Sequence, residues 1–519
     1  MTPDPRVESL AALVDRQAEA YGTSPALSFG EGTTFSYEEL AGLVARGRGV
    51  LRDLGVAPAD RVALMLRNSL FFPIAWLAAV GAGATAVPVN ARSGPDDTRY
   101  LLDHSGASFV LCDSSTEPVV RQVVEGSARR VLVVGEQEHL PEILQRGEHA
   151  PAGPCAGRTL ANAQYTSGTT GFPKGCLLTH AYWQRMGLVA GELLKLEPGK
   201  RLLTAQPFSY IDPMWNVVAA LRTGAHLIVL DGFHPSAFMR AVTDWKVSSF
   251  YCLGVMPTLL LKQDPASWDR DHDLKRVVCS AIPPELHRDI EDRWGVPWFE
   301  AFGMTETGIN IAVSDEEHDE LVGSGSIGRP LGHCEASIVG EDGRETPPGT
   351  VGELRLRGLG LMDGYLDDAE ATAAFFRDGW AHTGDLAKMD DEGRISLRGR
   401  RKEMVRRGGE NISQAEVEFA LRSHRDVLDC AVAAVPDDSL GEEGKAYVVL
   451  IGGRRRDPGV LHAFLASRLA SFKVPRYWEF RVDLPRTPSE RIAKGKLEDG
   501  RASWRLDTFD ARSGAWLEE

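Results

Sequence analysis

The sequence predicts an α/β fold: a large N-terminal domain of mainly parallel sheets flanked by helices, with a small antiparallel module, and a small mobile α+β C-terminal domain. Three observations predict it. Short apolar runs alternate with helical periodicity over roughly the first 300 residues. Between about residue 323 and residue 400 the pattern changes to short strands separated by Gly, Pro and Asp turns. The 519 residues also exceed one ordinary core, so two or more domains are expected.

Five apolar runs predict buried strands of the large domain, and a helix is predicted between them after Thr179. In "THAYWQRMGLVAGELLKL", Trp183, Met186 and Ala190 recur at helical spacing, and the Thr179 hydroxyl is suited to capping the first turn. Strands that alternate with such helices favour parallel pairing, because each crossover helix returns the chain to the same edge of the sheet. The five runs are "RVALML" from Arg61, "SFVLC" from Ser108, "RVLVVG" from Arg130, "HLIVL" from His226 and "SSFYCL" from Ser248.

The stretch "SLFFPIAWLAAVGAGATAVPVN", residues 69–90, reaches membrane-spanning length without a charge. Pro73, Gly81, Gly83 and Pro88 interrupt it, so a buried helix followed by a buried strand is the better interpretation. We expect no membrane span.

The second domain is predicted to begin in "RGRRKEMVRRGGENIS", residues 398–413, after the short strands "HCEASIVG", "GELRLRG" and "RISLRG". A helix in "SQAEVEFALRSH", strands in "LDCAVAAVP" and "KAYVVLI", and a helix in "GVLHAFLASRLASF" follow. These elements suffice for a compact α+β domain. We therefore divide the chain into residues 1–399 and 400–519.

Charge and cysteine content restrict the partners and the compartment. The net charge of −15 and pI near 5.4 argue against nucleic acid or an anionic membrane as the main partner. The seven cysteines form no CxxC pair and are odd in number, which favours reduced thiols and no zinc site. The N-terminal segment lacks a signal-peptide core. A cytoplasmic location is expected, and a dimer is one open alternative for the oligomeric state.

The stretch "YTSGTTGFPKG", residues 165–175, combines hydroxyls, glycines and one lysine. An ordinary surface loop is the plain interpretation, since Gly and Pro punctuate all chains. Backbone N–H groups, hydroxyls and a cation together also suit a phosphate chain. A Walker A loop is excluded because Pro173 and Gly175 flank the lysine. The candidate phosphate ligands are Thr166, Ser167, Gly168, Thr169, Thr170 and Lys174.

Three further motifs follow this loop: "FGMTET" at 302–307, "HTGDLA" at 382–387, and "RGRRKEMVRRGGENIS". In this order and spacing the four resemble the adenylate-forming superfamily of acyl-CoA synthetases, luciferases and nonribosomal peptide adenylation domains. Within it the chain looks most like crotonobetaine/carnitine-CoA ligase-like proteins. The resemblance implies a large N-terminal and a small mobile C-terminal domain, cleavage of ATP into AMP and pyrophosphate, and Mg²⁺, ATP and CoA as ligands.

The resemblance also implies roles for residues on the nucleotide side. Residues 166–174 would wrap the β- and γ-phosphates, Glu306 would bind Mg²⁺, and Thr305 would contact the α-phosphate. Phe302 would lie against adenine, and Asp385 and Arg400 would reach the ribose. Taken alone, Glu306 would be an ordinary surface acid and Phe302 a core residue. The neighbouring positions implied by the same motifs are Ser280 and Ala281 in "CSAIPP", and Ala301, Gly303 and Met304.

For the C-terminal segment the resemblance implies a hinge at Lys402 and a thiol tunnel lined by Gly408 and Gly409. One motif departs from the family. It normally reads Pro-x-Thr-x-Ser/Thr-Gly-Lys, and its lysine bridges the acid and AMP. Here "PRTPSERIAKGKL" places Glu490 at the glycine and Arg491 at the lysine, with Lys494 just beyond. Arg491 and Lys494 are alternative candidates for the catalytic cation.

Three functions stay open at this point. The first is an AMP-forming acid–CoA ligase that uses a small organic acid. The second is adenylation of an acid, including an inorganic acid such as nitrite for diazotisation or N–N bond formation, with transfer to an amine or carrier protein. The third is a non-catalytic nucleotide-binding protein. The sequence does not identify the acid, although Phe208, Tyr210 and Trp215 suggest a bounded pocket with aromatic walls for a short or aromatic acid.

Overall fold

The structure is a computed structural model that describes residues 8–30, 32–134, 144, 147–153, 155–166, 173–254, 256–400, 403–407, 410–437, 439–452, 454, 456–486, 492–501 and 503–517. Within these ranges the chain forms three β-sheets and the helices that cover them.

The first part of the chain alternates strands and helices. Its strands are β1 (Pro25–Phe29), β2 (Thr33–Ser36), β3 (Arg61–Met65), β4 (Thr85–Pro88), β5 (Phe109–Asp113), β6 (Arg130–Val134), β7 (Leu160–Thr166), β8 (Lys174–Thr179), β9 (Arg201–Thr204), β10 (His226–Val229), β11 (Ser249–Leu253), β12 (Arg276–Ser280) and β13 (Trp298–Met304). Its helices are α1 (Leu10–Tyr21), α2 (Tyr37–Asp53), α3 (Phe71–Gly81), α4 (Pro95–Ser105), α5 (Glu117–Val124), α6 (His180–Leu193), α7 (Ile211–Thr223), α8 (Pro235–Asp244), α9 (Met256–Leu261) and α10 (Pro284–Trp294).

From residue 308 strands predominate, and the last part mixes both types again. The middle part contains β14 (Gly308–Ala312), α11 (His318–Leu321), β15 (Ser326–Pro330), β16 (Cys334–Val339), β17 (Gly352–Gly358), α12 (Ala369–Phe375), β18 (Phe376–Arg377), β19 (Trp380–Met389) and β20 (Ile395–Arg400). The last part contains β21 (Met404–Arg407), β22 (Glu410–Ser413), α13 (Gln414–Arg422), β23 (Val427–Asp437), β24 (Gly441–Leu450), α14 (Pro458–Ala466), β25 (Tyr477–Arg481), β26 (Phe509–Asp510) and β27 (Ala515–Trp516).

A six-stranded sheet has the order β6-β5-β3-β4-β7-β8. Its first five strands pair in parallel, and β8 alone runs antiparallel to its neighbour β7. The five predicted strand runs and the helix after Thr179 are all present, and the Thr179 hydroxyl accepts a hydrogen bond from the Tyr182 N–H at the start of α6. The mainly parallel character predicted for the N-terminal domain is therefore confirmed.

A larger sheet joins parallel and antiparallel parts. Strands β1, β9, β10, β11, β12 and β13 pair in parallel, and β13 then pairs antiparallel with β14. The antiparallel strands β15 to β20 continue outward from β14. The antiparallel character predicted after residue 323 is confirmed, but these strands extend the parallel sheet and form no sheet of their own. The physical reason is that β13 bonds to β12 along one edge and to β14 along the other, so the parallel and antiparallel strands form one sheet.

The third sheet contains β21 to β27. The change of sheet falls between Arg400, which ends β20, and Met404, which begins β21. The last predicted helix is shorter than its sequence pattern, because α14 ends at Ala466 and the chain turns before Phe472. Leu469 and Phe472 then pack against the apolar core of this sheet. The domain division at 399/400 stays a prediction.

The apolar segment 69–90 forms helix α3 and strand β4, as predicted. Every residue of α3 is buried, and the helix packs against α1 and α2 in the main apolar core. The Trp76 indole N–H donates to the Asn162 side-chain oxygen at 2.9 Å, which fixes β7 against this helix. Among the described residues, no helix is both long and apolar enough to cross a bilayer.

A buried His–Glu cluster ties α10 and α11 to the start of β13. The Glu291 carboxylate accepts from the Trp298 N–H at 2.6 Å and contacts His318 Nε2 at 2.8 Å. Burial works against ionisation, but hydrogen bonds from His287 and His318 lower the pKa of Glu291 to about 2. His287 Nδ1 accepts from the Gly323 N–H, so its Nε2 carries the proton that it donates to the Trp298 carbonyl. The cluster is thus a hydrogen-bond network that ties α10 and α11 to β13.

Candidate active site

The antiparallel pairing of β7 with β8 positions the predicted phosphate loop. In this register Thr166 lies opposite Lys174, so the two residues flank the end of the hairpin where residues 167–172 connect its strands. The Tyr100 hydroxyl donates to the Pro173 carbonyl at 2.9 Å, next to Lys174. Residues 167–172 lie outside the described residues, and with them the predicted ligands Ser167, Gly168, Thr169 and Thr170.

Glu306 lies in the turn between β13 and β14, directly beside this hairpin. Its carboxylate is buried, with 8% of the residue exposed. Glu306 Oε1 accepts from the Tyr365 hydroxyl at 3.1 Å and lies 3.5 Å from the Thr166 hydroxyl. The structure thus brings together a hydroxyl, a carboxylate and, through Thr166, the lysine of the loop. Thr305 belongs to the same turn and is half-buried.

Two residues that the sequence did not single out, Tyr365 and Asp368, contact these groups. The Lys174 ammonium lies 5.2 Å from the centre of the Tyr365 ring and 3.5 Å from Asp368 Oδ2. Burial and the neighbouring Glu306 carboxylate raise the pKa of Tyr365, so its phenol stays a donor. The available sequence signal was "GYLDDAEA", in which an Asp caps the helix α12 that follows the tyrosine.

The predicted nucleotide-side loop is anchored to β13 by hydrogen bonds at two positions. The Ser280 hydroxyl donates to the Ala301 carbonyl at 2.6 Å and lies 2.6 Å from the Tyr251 hydroxyl. Ala281 has a φ of 70°, a left-handed conformation that is rare for a residue with a Cβ. Its N–H and that of Ile282 donate to the two oxygens of Glu300, at 2.6 and 2.8 Å.

Glu300 is a third residue that the sequence did not single out. Its signal was one acid inside the apolar strand "WFEAFGM". Burial raises the pKa of Glu300 to about 8, against the opposing effect of the two backbone donors. Because its carboxyl holds two consecutive N–H groups, it compensates for the unfavourable backbone at Ala281.

The remaining residues of "AFGMTE" lie along the end of β13. The Phe302 side chain packs in an apolar cluster with Ile311 and Ile327. This is the core environment expected of a phenylalanine from its residue type alone. A bulge separates Phe302 from Gly303, where an added Cβ would lie 2.9 Å from the Gly308 carbonyl oxygen. Gly303 is therefore required by the close approach of β14. Met304 packs at the edge of the same cluster.

Asp385 and Arg400 face each other across the antiparallel strands β19 and β20. Arg400 Nε donates to Asp385 Oδ1 at 3.0 Å. The Asp385 carboxylate raises the pKa of the Arg400 guanidinium, against burial, and Glu403 and Glu306 contribute in the same direction. The hydrogen bond from Arg400 thus fixes the Asp385 carboxylate from the opposite strand.

Of the site residues predicted in the C-terminal segment, Lys494 is the one that lies within the described residues. Lys402, Gly408, Gly409 and Arg491 lie outside them. The Lys494 ammonium is held within the last part of the chain: it lies 2.8 Å from Glu418 Oε1, 2.9 Å from Gln414 Oε1 and 3.4 Å from Glu403 Oε2. In this conformation its charge is already compensated by two carboxylates.

The three residues predicted to line an acid pocket differ in their surroundings. Phe208 is buried and stacks on Phe72, with ring centres 5.0 Å apart. Trp215 is also buried, and its indole N–H has no hydrogen-bond partner among the described residues. Tyr210 is half-buried at the start of α7, and its hydroxyl accepts from the Asn90 side chain at 3.3 Å. Tyr210 is the member of the set with solvent access.

The donor chemistry beside the hairpin fits magnesium. Mg²⁺ takes oxygen ligands, commonly one or two carboxylates together with substrate phosphates and waters. Glu306 offers such a carboxylate, and among the described residues both hydroxyl contacts lie at its Oε1. Its other oxygen, Oε2, is therefore the one suited to a cation.

Comparison with known families agrees with this arrangement. Residues 14–366 match the family described as AMP-binding enzyme, and residues 416–491 match the AMP-binding enzyme C-terminal domain. The chain therefore belongs to the AMP-binding enzyme family, the adenylate-forming superfamily that its motifs resemble.

Individual relatives match over nearly the whole chain. A feruloyl-CoA synthase from Amycolatopsis is 33% identical over 498 residues, covering 95% of this chain and 99% of that protein. A crotonobetaine/carnitine–CoA ligase from Salmonella arizonae is 32% identical over 514 residues, with the same two coverages. The o-succinylbenzoate CoA synthetase of Bacillus subtilis with its acyl-adenylate has a TM-score of 0.85 at 27% identity, covering 94% of this chain and 98% of that one. The same enzyme has also been solved with ATP and a magnesium ion, with a TM-score of 0.83.

Glu300 leads to a prediction about pH. An unfolded glutamate ionises near pH 4.3. The folded carboxyl keeps its proton up to about pH 8. Its stabilising effect is therefore complete below about pH 4 and is lost as the pH rises through 8, at no more than about 1.4 kcal/mol per pH unit. We expect thermal stability to fall between pH 6 and pH 9, and Glu300→Gln to remove part of that fall while lowering stability at pH 6. Differential scanning calorimetry at both pH values measures this.

Asp113→Asn is the matched control for Glu300→Gln. Asp113 is also a buried acid that accepts backbone N–H groups, but it lies in the other sheet, where the Arg67 and Ser115 N–H groups donate to it. The control should keep the parent's fall in stability between pH 6 and pH 9. An unchanged fall in Glu300→Gln would contradict the assignment.

Proposed function

We propose that this protein is an AMP-forming acid–CoA ligase that activates a small organic acid. In the first half-reaction a carboxylate oxygen attacks the α-phosphorus of ATP, the bond to the β-phosphate breaks, and acyl-AMP and pyrophosphate form. In the second, the thiolate of CoA attacks the acyl carbon, the C–S bond forms and AMP leaves. The observation that carries this proposal is the convergence of Thr166, Lys174 and Glu306 at one end of the β7–β8 hairpin.

Charge explains why these residue types suit the first step. The acid and the triphosphate are both anions, so their approach requires positive charge and fixed donors. Lys174 has 35% of its side chain exposed and an ion pair that is equally open to solvent, so it is free to exchange Asp368 for a phosphate oxygen. Such exposed pairs contribute only about 0.2–1 kcal/mol.

Glu306 would hold Mg²⁺, which supplies positive charge to the phosphate oxygens when it is bound. The residues of the chain orient this carboxylate and exclude water from it, since it is buried under Thr166 and Tyr365. The solved relative with ATP and a magnesium ion supports the choice of metal.

Asp385 would accept the ribose hydroxyls, since one carboxylate accepts two such bonds, and Arg400 would orient it. Arg400 holds Asp385 Oδ1 from the opposite strand, so the carboxylate is fixed before a ligand binds. Ala281 and Ser280 would lie along adenine and the α-phosphate, in a loop that Glu300 and Ala301 hold in place. Thr305 would contact the α-phosphate.

The assay must identify the acid that is activated and the acceptor of its acyl group. The relatives named for feruloyl, crotonobetaine or carnitine, and o-succinylbenzoate substrates suggest a panel of short and aromatic acids. Pyrophosphate release and AMP formation are measured for each acid, with and without CoA, and nitrite is included. We expect one of the organic acids to give pyrophosphate, with AMP and an acyl-CoA thioester in equal amounts once CoA is added. Release of pyrophosphate without any thioester would exclude CoA as the acceptor.

The phosphate and metal assignments lead to a second prediction. Lys174→Ala and Glu306→Ala should each lower pyrophosphate release by roughly 10²–10³-fold, the usual effect of losing one well-placed electrostatic group. Lys195→Ala and Glu335→Ala are matched controls, because these residues form exposed ion pairs outside the site. The two controls should retain parental turnover. Turnover within threefold of the parent in both site variants would remove this assignment.

A third prediction concerns the cation of the altered C-terminal motif. Lys494 is already paired with Glu418 and Glu403, so using it would require breaking those contacts. We therefore expect Arg491→Ala to reduce acyl-AMP formation and to spare thioester formation from supplied acyl-AMP. Lys494→Ala should instead reduce thermal stability and leave the ratio of the two half-reactions unchanged. If Lys494→Ala shows the selective loss and Arg491→Ala does not, the catalytic cation is Lys494.

A further inference from the structure

A short segment after β17, residues 362–366, forms backbone hydrogen bonds both to strand β8, which begins with Lys174, and to the turn that holds Glu306. It runs beside β8, on the edge opposite β7: the Leu366 N–H donates to the Gly175 carbonyl at 2.7 Å, and the Leu177 N–H donates to the Gly364 carbonyl at 2.9 Å. At its start, the Met362 N–H donates to the Glu306 carbonyl at 2.8 Å. One segment therefore fixes the strand that begins with Lys174 relative to the turn that holds Glu306.

The side chain of Tyr365 also contacts both Glu306 and Lys174. Its hydroxyl donates to Glu306 Oε1 at 3.1 Å, and its ring lies 5.2 Å from the Lys174 ammonium, within the usual range of a cation–π contact. Its backbone N–H donates to the Thr372 hydroxyl at 2.9 Å, and its ring packs edge-on against Phe375. Tyr365 is thus held by α12 while it contacts both charged groups.

We infer that Tyr365 is a positioning residue that fixes the Glu306 carboxylate for metal binding and supports Lys174 for phosphate binding. The inference rests on the proposed function, since it takes Glu306 as the metal ligand. Residues that donate to metal-binding groups orient them, and losing such a partner typically costs about 10–100-fold in metal affinity or activity. The phenol hydroxyl of Tyr365 and the hydroxyl of Thr166 both contact Oε1, which fixes the carboxylate while neither hydroxyl occupies Oε2.

Asp368 completes the arrangement three residues later. Its Oδ1 accepts from the Ala371 N–H at 2.8 Å and caps α12, while its Oδ2 lies 3.5 Å from the Lys174 ammonium. Asp368 thus holds the lysine above the Tyr365 ring until a stronger anion replaces it. Because the cap fixes Asp368, the lysine is kept beside the hairpin rather than free in solvent.

The test is metal binding measured apart from catalysis. Mn²⁺ is titrated by electron paramagnetic resonance into the full-length protein with α,β-methylene-ATP, which cannot be cleaved to AMP. Tyr365→Phe removes only the hydroxyl and keeps the ring under Lys174. We expect it to raise the half-saturating Mn²⁺ concentration about tenfold, and to leave binding of the analogue without metal within twofold of the parent. Tyr365→Leu, which also removes the ring, should weaken both.

Tyr37→Phe is the matched control, because Tyr37 is a buried tyrosine whose hydroxyl donates to the Ala220 and Ala225 carbonyls far along the chain from the hairpin. It should lower thermal stability and leave Mn²⁺ affinity unchanged. Glu306→Ala tests the metal assignment separately from the positioning role of Tyr365. If Glu306→Ala weakens Mn²⁺ binding and Tyr365→Phe stays within twofold of the parent, Tyr365 has no positioning role. If Glu306→Ala itself has no effect, the metal assignment fails as well. If Tyr365→Leu is recovered unfolded, the Tyr365→Phe titration alone decides.

Discussion

The pairing of β8 with β7 is the constraint on which the rest of the candidate site depends. On the core side β7 is fixed by two buried amides: Asn162 accepts from the Trp76 indole, and Gln164 donates to the Ser209 carbonyl at 2.6 Å. On the outer side, residues 362–366 bond to β8. A strand pair held along both edges cannot slip in register without exposing the side chains of its buried face. Thr166 and Lys174 are therefore set opposite each other, and the Thr166 hydroxyl lies beside the Glu306 carboxylate.

The charges around this hairpin explain why a divalent cation is part of the proposal. Among the described residues of the candidate site, three carboxylates (Glu306, Asp368 and Asp385) stand beside two cations (Lys174 and Arg400). Their sum is negative, yet the proposed substrates are a triphosphate and a carboxylate. The Arg400 guanidinium donates to Asp385, and that carboxylate raises the pKa of Arg400. A divalent cation bound with the nucleotide would supply positive charge besides that proposed for Arg491, and a carboxylate buried under hydroxyls is the type of ligand that retains such an ion.

Much of the fold could be predicted because its signals are local. The strand runs and the helix capped by Thr179 follow from periods of 2 and 3.6 residues and from one hydroxyl. Motifs name residue types, and the structure shows local contacts among some of them: Thr166 lies opposite Lys174 and beside Glu306, and Arg400 bonds to Asp385. Their roles stay predictions. Tyr365 and Glu300 escaped prediction because their contacts, to Glu306 and to Ala281, join positions 59 and 19 residues apart. No local pattern encodes such pairs. The continuation of the parallel sheet into the antiparallel strands was missed for the same reason, since it depends on which edge of β13 remains open.

Hydrogen bonds between the last part of the chain and the first bear on the proposed second half-reaction. The Lys262 ammonium, whose pKa burial lowers, donates to the Val427 carbonyl and to the Arg422 carbonyl at the end of α13. Hydrogen bonds to charged groups contribute about 1.5–3 kcal/mol each when buried, and less when solvent replaces the partner. A rotation about a hinge at Lys402 would have to break bonds of this kind, and binding of CoA or release of pyrophosphate would have to offset a cost of several kcal/mol. That cost is within the range that ligand binding supplies, so these contacts stabilise one arrangement without preventing the other.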